Sequence, residues 1–167
     1  LLASSAASDV YKRQDLAQVA DEMQFYNFMT IVAAHTSKPV VYEELASAAG
    51  ISAPTAKKWL SILVSSHIIA LVQPYHNNAL KRVVKMPLIH FLDTGLAAYL
   101  LRWGNPEVLE RGAMSGAFFE SYIFSEIYKS YLNAGKEPPI FYYRDKDQKE
   151  IDLLLYQNGV LCPIEIK

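Results

Sequence analysis

The sequence predicts an α/β (α+β) chain, helical first and sheet-bearing at its end. Three observations carry this. Apolar residues recur at three- and four-residue spacing over 15–36 and again over 115–132, the period of an amphipathic helix. Gly50-Ile51-Ser52 separates two further helical runs, with Gly as a C-cap and Ser as an N-cap. In the last third, short apolar runs flank Gln157-Asn158-Gly159, a strong hairpin signal.

Bulk properties narrow the function classes. At 167 residues, 51% hydrophobic and 20% charged, the chain has room for one or two small domains with a real core. A formal net charge of −1 provides no global basic field, so any nucleic-acid contact must come from local patches. The single cysteine, Cys162, excludes an internal disulfide framework and is expected as a small buried hydrophobe in a reducing cytoplasm. No apolar run approaches the about 20 residues needed to span a bilayer, so no membrane partner is expected.

Residues 1–14 have no pattern and lack the cationic start and apolar run of a secretory signal. They are expected to be a non-native or disordered leader. A helix then runs from Asp15 to about Thr36, with Leu16, Val19, Met23, Tyr26 or Phe25, Met29 or Thr30, and Ala33 on its stripe, and Ser37-Lys38-Pro39 breaks it. Residues 40–49 form a helix that Gly50 ends. The next helix spans 53–66, with Pro54 tolerated in its first turn and Ala56, Trp59, Leu60, Leu63 and His67 as its buried stripe. Strand-like runs follow at Ile68–Val72 and Arg82–Lys85, around an Asn77-Asn78 loop. Helix, helix-turn-helix and hairpin make the layout of a winged helix, expected over 15–104. Thr94–Leu101 is a short helix with Asp93 as its N-cap, and Trp103-Gly-Asn-Pro106 reads as a linker. The second module, 105–167, contains a helix from Ser115 to about Leu132, with Phe119, Tyr122, Ile123 and Ile127 on one face. A strand at Ile140–Arg144, a charged turn at Asp145–Gln148 and the closing hairpin complete it.

The candidate chemistry gathers at that hairpin. Side chains alternate along a strand, so Glu165 and Lys167 share a face, and antiparallel pairing lets Asp152 join them. Glu120 stands in the first turns of the preceding helix. Carboxylates supply hard oxygen ligands for Mg²⁺, and a Lys can offset developing phosphate charge. The same residues also read as solvated strand-edge charges. Lys57 and Lys58, with Lys81, Arg82 and Lys85 on the hairpin, form a modest patch suited to DNA phosphates, and Arg144 could hold a phosphate near Asp152. His35, His67, His76 and His90 fall at no ligand spacing and are expected to be structural or exposed.

Helix with Glu120, strand, strand with Asp152, strand with Glu165-Ile-Lys167: this order resembles the core of the PD-(D/E)xK nuclease-like fold, truncated here to αβββ. The resemblance implies Glu120, Asp152, Glu165 and Lys167 as catalytic residues, with Asp152 and Glu165 on the metal. A longer string, Lys85-Met-Pro-Leu, Phe91-Leu-Asp93-Thr-Gly95, Gly116-Ala-Phe-Phe-Glu120, Tyr143-Arg144 and Pro163-Ile-Glu165-Ile-Lys167, resembles the carboxy-terminal part of prokaryotic AAA-type P-loop ATPases carrying the domain of unknown function 4143. In that family an ATPase domain precedes a winged helix and a restriction-endonuclease-like domain. The sequence contains no G-x-x-x-x-G-K-[ST], so ATP would bind only through an ATPase domain outside it. The expected partners are DNA and that ATPase domain, with a homo-oligomer compatible. Two functions stay open: a Mg²⁺-dependent nuclease-like site, or a non-catalytic DNA- or protein-interaction module.

Overall fold

The computed structural model describes residues 21–75, 86–144 and 150–167. The leader 1–14, the helix start at Asp15, the cations Lys81, Arg82 and Lys85, His76 and the 145–148 turn lie outside the described residues.

Helix α1 occupies 21–33 of the described residues and gives way to a turn over 34–37, so it ends before Thr36. Helices α2 (Tyr42–Ala49) and α3 (Ala53–Ser65) follow. Gly50 closes α2 at φ 66°, a left-handed conformation that costs glycine little. The Ser52 hydroxyl accepts the Thr55 backbone N–H and opens α3. Ala56, Leu60 and Leu63 are buried, as the stripe requires, but His67 is not part of it. α3 stops at Ser65, and His67 sits exposed at φ 54° in the turn beyond. Trp59 receives Phe25 and Phe28 edge-on at ring-centre distances of 5.4 and 5.6 Å, fixing α1 to α3.

Strand β1 (Ile69–Pro74) pairs antiparallel with β2 (Leu88–Phe91), Ile69 opposite Phe91. The described partner of β1 is thus 88–91, downstream of the expected run at 82–85. Helix α4 (Thr94–Leu100) is capped by the Asp93 carboxylate on the Leu96 N–H. The expected linker contains a one-turn helix, α5 (Pro106–Glu110), capped by Asn105. Helix α6 (Ser115–Asn133) then leads to β3 (Ile140–Arg144), β4 (Glu150–Gln157) and β5 (Val160–Ile164). Asn158 and Gly159, both at positive φ, make the tight turn between β4 and β5.

The strands form one five-stranded sheet in the order β2-β1-β3-β4-β5. β1 joins β3 in parallel through Gln73–Phe141 and Pro74–Tyr142. The early hairpin and the late meander therefore share a sheet. One core cluster holds Phe28, Leu45, Leu60, Ile89, Phe91 and Phe118 under the helices. A second holds Val72, Phe124, Ile140, Tyr142 and Leu153 between α6 and the sheet. No helix of the described residues is long and apolar enough to cross a membrane.

Two expectations are corrected in the last third. The fully buried face of α6 is Phe118, Ser121, Phe124 and Ser125; of the expected stripe, Ile123 and Ile127 are partly buried against the second core, while Phe119 and Tyr122 stand exposed. Hydrogen bonds satisfy both serines inside: Ser125 donates to the Tyr122 carbonyl, and Ser121 joins a network described below. Cys162 lies exposed on the edge strand β5, not buried.

Phe124→Ala should destabilise the fold by about 3–5 kcal/mol, the scale for a buried Phe. Phe119→Ala should stay within about 0.5 kcal/mol, as exposed positions do. Urea unfolding of both variants checks which face is buried.

A candidate acidic cleft between the α1–α2 turn, helix α6 and strand β4

A cleft of about 280 Å³ opens where three elements meet. The turn after α1 contributes Ser37 and Lys38, β2 contributes Leu88 and His90, and α6 contributes Gly116, Ala117 and Glu120. The sheet contributes Arg144, Glu150, Asp152 and Leu153, and Ile166 closes one side. Three acids and two cations thus line one cavity.

Glu120 is half-buried and accepts a hydrogen bond from the Ser37 hydroxyl. Its pKa is raised above the ordinary value of 4.5. Burial is the main cause, with the negative fields of Asp152 and Glu150 adding to it and the Ser37 hydrogen bond opposing it. Asp152 accepts the Ile166 backbone N–H on Oδ2 at 2.8 Å. Glu150 is held by the Arg144 guanidinium, whose nitrogen lies 2.6 and 2.8 Å from its two oxygens. That pair is exposed, and such pairs contribute about 0–1 kcal/mol. Its role is to neutralise one of the three acids.

Beneath Glu120 lies a buried polar chain. The Phe91 backbone N–H donates to the Thr36 hydroxyl at 3.2 Å, Thr36 meets the Ser121 hydroxyl at 2.8 Å, and Ser121 meets His90 Nδ1 at 3.0 Å. Consecutive residues therefore pair across the junction: Thr36 with Ser121, Ser37 with Glu120. Ser37 reaches its place at φ 63°, an uncommon conformation for a serine. Its N–H donates to the Ile89 carbonyl at 2.6 Å, and the Ile89 N–H donates to the Lys38 carbonyl at 2.9 Å, strapping the turn to β2. His90 is 2% exposed, stacked on Phe124 at 4.6 Å, and its pKa is pushed down to about 3 by burial. Its Nε2 is buried without a hydrogen-bond partner among the described residues.

The predicted residues divide. Glu120 and Asp152, 32 positions apart in sequence, line the same cleft, and Arg144 joins them. Glu165 and Lys167 do not line it. β5 ends at Ile164, so strand alternation no longer governs them; Ile166 turns into the cleft, Glu165 is exposed, and Lys167 lines a separate apolar groove beside Gly116 and Phe119. Among the described residues, no three or more His, Cys, Asp or Glu side chains are grouped to hold a metal ion. Lys57 and Lys58 are exposed on α3 and do not line the cleft. Sequence reasoning missed Ser37, Lys38 and His90. The Ser-Lys-Pro break signalled a turn, but nothing local pointed it at Glu120.

The model of a family described as "Domain of unknown function (DUF8612)" matches residues 3–107. That of "Domain of unknown function (DUF4143)" matches residues 115–167. The chain is similar to the uncharacterized protein Rv2008c of Mycobacterium tuberculosis and the uncharacterized protein Mb2031c of Mycobacterium bovis. Each is 30% identical over 125 residues, which cover 74% of this chain and 27% of the relative. The chain thus spans about a quarter of the length of these relatives. No solved structure matches. Ser37, Lys38, Leu88 and His90 fall in the first matched segment, and Glu120, Arg144, Glu150 and Asp152 in the second.

The raised pKa of Glu120 sets a pH dependence. Its folded pKa lies above its unfolded value, so folding disfavours the ionised form. Stability is fullest below the unfolded pKa and falls as pH rises through the window up to the folded pKa. Glu120→Gln keeps an acceptor for Ser37 and removes the titration. The variant should lose that slope and exceed the parent in stability at neutral pH, measured by urea unfolding across the acidic-to-neutral range. A variant weaker than the parent at neutral pH would show that burial does not govern Glu120.

Proposed function

The chain belongs to the family described as Domain of unknown function (DUF8612), and from that membership together with the acidic cleft we propose that it is the nucleic-acid-associated part of a longer cytoplasmic protein, with a Mg²⁺-dependent phosphodiester-cleaving site at Glu120 and Asp152. The observation that carries this is the convergence of those two acids from α6 and β4 on one cleft. The donor chemistry fits Mg²⁺, which is characteristically held by one or two carboxylates together with water and substrate phosphate. Glu120 and Asp152 each keep one oxygen without a hydrogen bond among the described residues. When bound, the ion would polarise a phosphoryl oxygen and lower the pKa of a coordinated water. The chain's own residues hold the geometry. Ser37 orients Glu120, the Ile166 N–H orients Asp152, and Arg144 keeps Glu150 neutralised at the rim.

The helix-turn-helix of α2 and α3, followed by β1 and β2, supports a winged-helix role in DNA contact, with Lys57 and Lys58 on the exposed face of α3. The resemblance to AAA-type ATPases, and the much greater length of the mycobacterial relatives, support an ATPase domain as the partner and as the only place for ATP. A specific observation favours a second function. Glu165 and Lys167, which the nuclease resemblance requires, do not line the cleft. On that footing the same architecture serves as a non-catalytic DNA- or protein-interaction module.

Plasmid nicking with Mg²⁺ or Mn²⁺ separates the two. The parent should nick, and Glu120→Gln and Asp152→Ala should each lower the rate by more than the roughly 10–100-fold that loss of a partner behind a metal ligand costs. A parent that does not nick, or variants as fast as the parent, leaves the interaction module. Lys57→Glu with Lys58→Glu should weaken duplex binding about uniformly across sequences and reduce its salt dependence, read by fluorescence anisotropy. Unchanged binding removes α3 from the DNA contact.

A further inference from the structure

A chain of hydroxyls under the cleft ends on His90. Thr36 Oγ1 accepts from the Phe91 N–H. In the arrangement in which Thr36 donates to Ser121, the Ser121 hydrogen goes to His90 Nδ1. Burial keeps the imidazole neutral, and in that arrangement its hydrogen sits on Nε2. Nε2 is then a buried N–H donor without an acceptor among the described residues, on a side chain that lines the cleft. An orphaned donor of this kind is rare in a folded core and calls for an oxygen ligand.

Lys38 lines the same cleft. The flanking backbone is anchored on both sides, by Ser37 N–H to Ile89 and by Ile89 N–H back to Lys38. The turn is held in the left-handed conformation of Ser37, which persists only where surrounding structure over-determines it. Its side chain has no ion-pair partner among the described residues. Arg144, by contrast, is occupied by Glu150. We infer that Lys38 and the Nε2–H of His90 are the groups that hold a phosphodiester oxygen of nucleic acid in this cleft, with Lys38 taking the cationic place that the sequence assigns to Lys167. The inference rests on the proposed phosphodiester role of the cleft. It makes the site composite, with its donors in one matched segment and its acids in the other.

The test uses the full chain in Ca²⁺, so that binding is read without turnover, and a short labelled DNA duplex. Lys38→Ala should weaken binding severalfold and lower the slope of log affinity against log salt by about one phosphate contact. Lys136→Ala, on the exposed segment after α6, should match the parent. Long-range ¹H–¹⁵N spectra should show His90 as the Nε2–H tautomer, and its Hε2 resonance should move when the duplex is added to the parent but not to Lys38→Ala. An Nδ1–H tautomer, a silent His90 at saturation, or Lys38→Ala binding like the parent overturns the inference. A larger His90 response to inorganic phosphate than to duplex overturns the nucleic-acid assignment. Absent nicking with Lys38-dependent binding intact leaves this inference standing and removes the nuclease function. Nicking unaffected by Lys38→Ala, with His90 unresponsive, does the reverse.

Discussion

Two adjacent hydroxyls, on Thr36 and Ser37, hold two adjacent residues of α6, Ser121 and Glu120. The cleft depends on this clasp. The turn after α1 is otherwise a short break between helices. The clasp, with the backbone straps to β2, aims it at α6 and so brings Lys38 and Ser37 over the sheet. Burial raises the stakes of each contact, because an unpaired polar group inside costs far more than a paired one gains. Thr36 and Ser121 are 1% and 0% exposed, so their pairing is a condition of packing α6 where it lies.

The sheet makes the clasp possible. β1 pairs β2 on one side and β3 on the other, so a single strand carries the register from the helical half into the meander. That register puts His90 of β2 under Ser121 and Phe124 and sets Asp152 of β4 across from Glu120. The electrostatics follow from the placement. Glu120 sits half out of water near two other acids, and its carboxyl titrates upward. Arg144 pairs with Glu150, and Glu120 and Asp152 have no ion-pair partner among the described residues.

Much of the local structure was legible in the sequence because its causes are local. Gly50, Ser52, Asp93 and Asn158-Gly159 act through backbone groups a few residues away, and each ends or begins an element where expected. The buried face of α6 was not legible. Ser121 and Ser125 are polar residues on the buried side, satisfied there by Thr36 from another element and by the Tyr122 carbonyl of α6 itself. His67 failed because periodicity assigned it to a stripe that α3 does not extend to, and Cys162 because residue type alone placed it inside while it lies on the edge strand. Of the candidate site, Glu120 and Asp152 were legible as acids in the right order along the chain. Glu165 and Lys167 were read by alternation past the last paired residue, Ile164, where alternation has no hydrogen-bonded strand to act on.

By itself, then, the sequence determined the mixed α/β class, the order and caps of its elements, and two of the acids that line the cleft. These follow from side-chain period and turn chemistry, which act over a few residues. Only the tertiary structure decided the rest: that one sheet joins both halves, that Lys38 and not Lys167 lines the acidic cleft, and that His90 reaches it with a nitrogen unpartnered among the described residues. Those facts rest on contacts between residues 31 to 85 positions apart, and only the closing of the chain around its core brings such residues together.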